Sequence, residues 1–123
     1  MHLFAIVTDR VERFAELNNA IAQATEGAAV SWHASGAAAL SSAGEAAPDL
    51  VVVDGDLADM SAEAFLRRLM AVNAGINTAV ASSLAHEDFH QTYEGLGVLM
   101  QLPPEPDRES SGELIQRLKA IRG

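Results

Sequence analysis

The chain has 123 residues, of which 49% are hydrophobic and 20% charged, a balance that fits one globular domain and excludes a disordered or fibrous chain. Its net charge of -9 disfavours binding to nucleic acid or to anionic membranes, since both are negatively charged. The lack of cysteine excludes disulfides and cysteine-bound zinc, and no N-terminal segment suits a signal peptide. We therefore expect one cytoplasmic domain over residues 1–123.

The first half of the sequence alternates apolar strands with amphipathic helices. The continuous apolar run Leu3–Val7 predicts a buried strand. A helix follows, because apolar residues then recur at spacings of three and four: Val11, Phe14, Leu17 and Ile21. A weaker strand is predicted at 28–33, and an alanine-rich helix at 36–46.

The strongest strand signal lies at 50–53, where a leucine and three valines are ended by Asp54. Ser61 is a candidate N-cap for the third helix, whose apolar positions are Phe65, Leu66, Leu69 and Val72. The fourth strand is predicted at 76–81.

The remaining chain predicts a helix at 86–94, a fifth strand at Val98–Leu102 and a closing helix. The apolar positions of that last helix are Leu114, Ile115, Leu118 and Ile121. Five strands alternating with five helices predict an α/β fold of three layers, in which helices cover both faces of a doubly wound parallel sheet.

Polar side chains follow three of the predicted strands. Asp9, Asp54 and Ser82 each stand directly after or close to a strand end, and Asp56 shares the loop after Asp54. Because ligands of such sheets bind beyond the carboxyl ends of the strands, we expect these side chains to converge. Clustered carboxylates suit Mg²⁺, although aspartate is also a common turn residue, so the pattern alone leaves both interpretations open.

Residues 48–61 read P-D-L-V-V-V-D-G-D-L-A-D-M-S and resemble the phosphorylation-site stretch of response-regulator receiver domains from bacterial two-component systems. In that family Leu57 and Met60 would follow the acceptor aspartate at the usual distances, and Gly95 matches the glycine before strand five. The resemblance covers essentially the whole chain. It implies a flavodoxin-like sheet with the strand order 2-1-3-4-5.

The resemblance also implies a role for each polar residue at the strand ends. Asp54 would accept a phosphoryl group from a histidine kinase or phosphotransfer protein. Mg²⁺ would be held by Asp9, Asp54 and the backbone carbonyl of Asp56, and Ser82 would be the switch hydroxyl that contacts the phosphoryl oxygens. Such a domain is regulatory and not an enzyme, and its output face of helix four, strand five and helix five could also form a homodimer.

The segment after strand one departs from the family pattern. Receivers carry two acids there, whereas this chain has Thr8, Asp9 and Arg10. If Asp9 matches the first acid, Arg10 replaces the direct metal ligand with a cation. In the other register Thr8 replaces an acid, so in either register one acid is missing and Mg²⁺ binding is expected to be weak or absent.

The fifth strand departs from the pattern as well. Leu102 stands where the family has the lysine that pairs with the phosphoryl group, and Leu99 stands at the aromatic switch position. Ala58 replaces a proline. The family's cis peptide bond would fall at Leu102–Pro103.

These departures leave three hypotheses. The first is a receiver phosphorylated on Asp54, and the second is a pseudo-receiver that binds partners or dimerises without phosphorylation. The third rests on the H-E-x-x-H pattern from His86 to His90, which is typical of zinc hydrolases. That pattern falls on a short helix expected at the surface, where two solvated histidines are the simpler interpretation.

Overall fold

A computed structural model describes residues 3–122 as a fully parallel sheet with helices on both faces. The strands are β1 (Leu3–Val7), β2 (Ala29–His33), β3 (Leu50–Asp54), β4 (Asn77–Ala81) and β5 (Val98–Leu102). Their order across the sheet is β2-β1-β3-β4-β5. This order confirms the predicted doubly wound, flavodoxin-like fold. The ends of the predicted domain, residues 1, 2 and 123, lie outside the described residues.

The helices lie close to their predicted positions. They are α1 (Ala15–Ala24), α2 (Gly36–Glu45), α3 (Ala62–Val72), α4 (His86–Thr92) and α5 (Arg108–Arg122). A 3-10 turn at Val11–Phe14 precedes α1, so the first apolar residues of the predicted helix lie in that tighter turn. The predicted cap of α3 is present, because the Ser61 hydroxyl accepts a hydrogen bond of 3.0 Å from the backbone N–H of Ala64.

The core has two layers because successive strand residues point to opposite faces of the sheet. On one face Val7, Val51 and Val53 pack with buried side chains of α2, α3 and α4. On the other face Ile6 and Val52 pack with buried side chains of α1 and α5. The three valines before Asp54 therefore serve both layers, which explains why β3 is apolar along its whole length.

The last residue of β5 belongs to this core. Leu102 has no exposed surface and packs in the layer beneath α1 and α5. The carbonyl oxygen of Leu102 accepts a 2.9 Å hydrogen bond from the backbone N–H of Ser82. The predicted cis peptide bond at Leu102–Pro103 is wrong, because no peptide bond within residues 3–122 is cis. The trans form is the lower-energy isomer even before proline.

Leu102→Ala should lower the free energy of unfolding by about 2–4 kcal/mol, because a fully buried leucine leaves a cavity when it is truncated. Urea unfolding followed by far-UV circular dichroism measures this loss. Leu84→Ala is the matched control, since Leu84 is 40% exposed and its truncation should cost less than about 0.5 kcal/mol. Equal losses in the two variants would contradict the placement of Leu102 in the core.

Candidate functional site

The strand order reverses between β1 and β3, and the residues at the carboxyl ends of β1, β3 and β4 are here called the crevice. In such sheets this is the usual location of functional groups. Asp54 is the last residue of β3 and pairs in register with Ala81 of β4. Thr8 follows β1 directly. Asp54 is only 3% exposed, so its carboxylate must be satisfied by groups of the protein itself.

Arg10 supplies the charge that the Asp54 carboxylate needs. Its Nη2 lies 2.9 Å from both Oδ1 and Oδ2 of Asp54. The same nitrogen lies 3.4 Å from Oδ2 of Asp56 and 3.5 Å from the Asp56 carbonyl oxygen. The guanidinium therefore lies between the Asp54 carboxylate and Asp56 in the loop that follows it.

Thr8 and Asp56 complete the hydrogen bonding of the carboxylate. The buried Thr8 hydroxyl donates to Asp54 Oδ2 at 2.7 Å and accepts from the backbone N–H of Arg10 at 2.9 Å. The backbone N–H of Asp56 donates to Asp54 Oδ1 at 2.9 Å. Each carboxylate oxygen thus accepts two hydrogen bonds, which fills the acceptor capacity of an ionised carboxylate.

Of the three residues after β1, two contact Asp54 and one does not. Thr8 and Arg10 turn toward Asp54, whereas the Asp9 side chain is about half exposed and its Oδ1 lies 3.7 Å from Arg10 Nε. That distance is too long for a hydrogen bond, although the charges still attract. The predicted convergence of Asp54 with Asp56 is present, and Asp9 meets them only through Arg10.

Arg10 keeps its charge under all ordinary conditions. The hydrogen bond to Asp54 raises the pKa of the Arg10 guanidinium, burial opposes that rise, and the charges of Asp54 and Asp56 add to it. Arginine is already protonated across the physiological range, so the charge of Arg10 in this ion pair does not change with pH.

This arrangement does not fit a magnesium ion. Mg²⁺ binds oxygen ligands, usually one or two carboxylates with several waters. Here a guanidinium nitrogen contacts both Asp54 oxygens and approaches the Asp56 carbonyl, which are the groups that the resemblance assigns to the metal. Within residues 3–122 no three histidine, aspartate or glutamate side chains are grouped to hold a metal ion.

The loop after Asp54 is held by a backbone hydrogen bond to β4 and by the contact of the Asp59 side chain with the start of α2. The Gly55 N–H donates to the Ala81 carbonyl oxygen at 2.7 Å, and a Cβ at position 55 would lie 2.6 Å from that oxygen. Further along, the Asp59 carboxylate accepts hydrogen bonds from the N–H groups of Gly36 and Ala37 at the start of α2, at 3.0 and 3.1 Å. These contacts hold Asp56 beside Arg10.

The predicted site residues Ser82 and Leu99 do not join the Arg10 network. Ser82 follows β4, and its hydroxyl accepts a 3.1 Å hydrogen bond from the Leu84 N–H. Leu99 packs, partly buried, against the layer beneath α1 and α5. Gln101 was not predicted as a site residue, yet its amide donates to the carbonyl oxygens of Ser82 and Leu84. A single polar residue in the apolar stretch of β5 was the available signal.

The H-E-x-x-H pattern does not form a zinc site in the described part of the chain. His86 and His90 lie exposed on α4 with their rings stacked, the centroids 5.9 Å apart. No third histidine or acidic residue joins them in a metal-binding group within residues 3–122. The geometry is that of a solvated helical face.

Several solved structures are similar to this chain over nearly their whole length. The chemotaxis response regulator CheY4 of Vibrio cholerae is 19% identical with a TM-score of 0.81, and the match covers 96% of this chain and 98% of that one. A CheY-like receiver domain protein from Methanospirillum hungatei is 16% identical with a TM-score of 0.83, covering 99% and 97%. A proposed pilus assembly protein (cpaE) from Burkholderia thailandensis is 18% identical with a TM-score of 0.77, covering 98% and 99%.

These structures show that the chain has the fold of response-regulator receiver domains. No protein-family model matches the sequence, and no curated protein matches it. Because one fold supports many functions, the function has to be argued from the residues of the crevice.

Replacing Arg10 should open the crevice to divalent cations. In Arg10→Asp a carboxylate replaces the guanidinium beside Asp54 and Asp56, so we expect saturable Mg²⁺ binding in the millimolar range, read as amide shifts of residues 8–10 and 54–56 by NMR. The wild type and the control Arg13→Asp should show no saturable shifts. Saturable Mg²⁺ binding by the wild type would contradict the conclusion that the wild-type crevice does not fit a magnesium ion.

The contact of Asp59 with α2 should make stability depend on pH. Backbone hydrogen bonds from Gly36 and Ala37 lower the pKa of Asp59, so its contribution is present above the ordinary aspartate pKa of about 4 and is lost as the pH falls through the lowered value. Asp59→Ala should therefore reduce the urea midpoint at pH 7, and the difference from the wild type should shrink below about pH 4. Glu26→Ala, at an exposed site, is the control for the loss of a surface carboxylate at each pH.

Proposed function

We propose that the chain is a receiver-fold interaction module that works without phosphorylation of Asp54. The proposal is carried by one observation, the contact of Arg10 Nη2 with both carboxylate oxygens of Asp54 at 2.9 Å. A carboxylate attacks phosphorus with an oxygen lone pair, and a metal ion normally offsets the charge of the phosphoryl donor. Here both oxygens are engaged by donors of the same chain.

The cost of freeing Asp54 supports this proposal. An attacking oxygen would have to give up hydrogen bonds from Arg10 and from either Thr8 or the Asp56 N–H. Hydrogen bonds to charged groups are among the stronger ones in proteins, at roughly 1.5–3 kcal/mol each. The nucleophile is therefore held in an unreactive arrangement.

The fifth strand supports the proposal from the other side of the crevice. Leu102 occupies the position of the family's lysine, and its side chain is fully buried in the core. A leucine cannot form an ion pair with a phosphoryl group. A phosphoryl group on Asp54 would have no partner on β5 at this position, and the coupling between Asp54 and that strand would be lost.

The output of this module would be binding and not catalysis. We propose that the face formed by α4, β5 and α5 contacts a protein partner or a second copy of the chain. The net charge of -9 argues against nucleic acid as the partner. Within residues 3–122 no helix has the length and apolar character needed to cross a membrane. A single domain acting in the cytoplasm, with no metal requirement, is part of the same proposal.

A conventional receiver is the second candidate. Its support is the position of Asp54 at the end of β3, close to Ser82. Asp54 pairs with Ala81 of β4, and Ser82 is the next residue along the chain. In this alternative a histidine kinase or phosphotransfer protein phosphorylates Asp54 after Arg10 swings away, and Mg²⁺ takes its place. The two candidates make opposite predictions for the wild-type chain.

Incubation with Mg²⁺ and acetyl phosphate, followed by intact mass spectrometry, separates the candidates. We expect no mass gain of one phosphoryl group on the wild type, because the Asp54 oxygens are engaged. A conventional receiver treated in parallel verifies the donor. A gain on the wild type that is absent from Asp54→Ala would overturn the interaction-module proposal and favour the phosphoacceptor.

A further inference from the structure

The side chain of Gln101 bridges β5 and the loop after β4. Its Nε2 donates to the carbonyl oxygen of Ser82 at 3.1 Å and to that of Leu84 at 2.8 Å. A primary amide has two N–H donors, so both are used on the same loop. Gln101 is half-buried; its bond to Ser82 is partly shielded from water, whereas its bond to Leu84 is exposed.

The loop is also closed on itself. The Ser82 hydroxyl accepts a hydrogen bond from the Leu84 N–H at 3.1 Å, and the Ser82 N–H donates to the Leu102 carbonyl oxygen at 2.9 Å. Between residues 3 and 122, no hydrogen bond joins the Ser82 hydroxyl to Asp54. Four hydrogen bonds thus set the path of three residues, and two of them come from Gln101.

The start of α4 depends on this loop. The helix has seven residues, begins at His86 and has no side-chain N-cap at Ala85. Its buried residue Phe89 lies at the middle of the helix and packs on Tyr93, the residue after its end, with ring centroids 4.6 Å apart. A helix this short is not stable by itself, so its first turn follows the loop that leads into it.

We propose that Gln101 is a positioning residue that fixes the loop between β4 and α4, and with it the first turn of α4, independently of the state of Asp54. This inference rests on the proposed function, in which the face including α4 and β5 is the interaction surface. Gln101 presents that surface in one arrangement. Because its amide is neutral, the restraint does not change with ordinary pH.

The independence follows from the separation of the two hydrogen-bond networks. The network around Asp54 uses Thr8, Arg10 and Asp56 from the loops after β1 and β3. The Gln101 network uses only residues of β5 and the loop after β4, namely Ser82, Leu84, Gln101 and Leu102. The networks share no residue.

Hydrogen-deuterium exchange of four proteins tests the inference: the wild type, Gln101→Leu, Arg10→Ala and the exposed control Gln116→Leu. In Gln101→Leu we expect the amides of Leu84 and of residues 89–91, which donate to Ser82 and to the first turn of α4, to exchange about tenfold faster, since two hydrogen bonds are lost, while β1 and β3 are unchanged. In Arg10→Ala and Gln116→Leu the same amides should stay within about twofold of the wild type.

Unchanged exchange in Gln101→Leu, or an equal acceleration in Arg10→Ala, would overturn the inference. Should Gln101→Leu fail to fold, Gln101→Glu removes the N–H donors while keeping the side-chain length, and it should accelerate the same amides. Phosphorylation of the wild type would reject the proposed function without altering these exchange rates. The failure of one proposal can therefore be distinguished from the failure of the other.

Discussion

The pairing of Arg10 with Asp54 is the interaction on which the crevice depends. Asp54 ends a strand whose other residues are fully apolar, so its carboxylate lies at the edge of the core, 3% exposed. An uncompensated charge in that position would cost several kcal/mol. The chain meets this demand with its own guanidinium, a threonine hydroxyl and a backbone N–H. In the function we propose, the same contacts that stabilise the carboxylate also keep it from reacting.

The fold could be predicted because its signals are local and repeated. The valines of β3 and the three-and-four spacing of apolar residues in α1 and α3 reflect burial on both faces of a parallel sheet. The strand order came from the resemblance of residues 48–61, and the structure confirms it. The cis peptide bond at Leu102–Pro103 was predicted wrongly because it was carried over from the family pattern. In that pattern a lysine precedes the proline, whereas this chain has Leu102.

The crevice could be predicted only in part. The sequence places Asp54 and Asp56 at one strand end, and it identifies Thr8 and Arg10 as departures from a pair of acids. It does not decide which of the residues after β1 turns inward, because that depends on the backbone path into the 3-10 turn at Val11–Phe14. Gln101 was missed for a similar reason, since its partners are backbone carbonyls that carry no sequence signature.

Placing the cation on Arg10 has a consequence for how the domain depends on its surroundings. A dissociable metal ion occupies its site according to its concentration in solution. The guanidinium belongs to the chain itself, two residues after Thr8. Its effective concentration beside Asp54 is therefore set by this short connection, at roughly millimolar or above. We therefore expect charge compensation in the crevice to be constant, so that chelators or changes in magnesium concentration leave the shape of this end of the sheet unchanged.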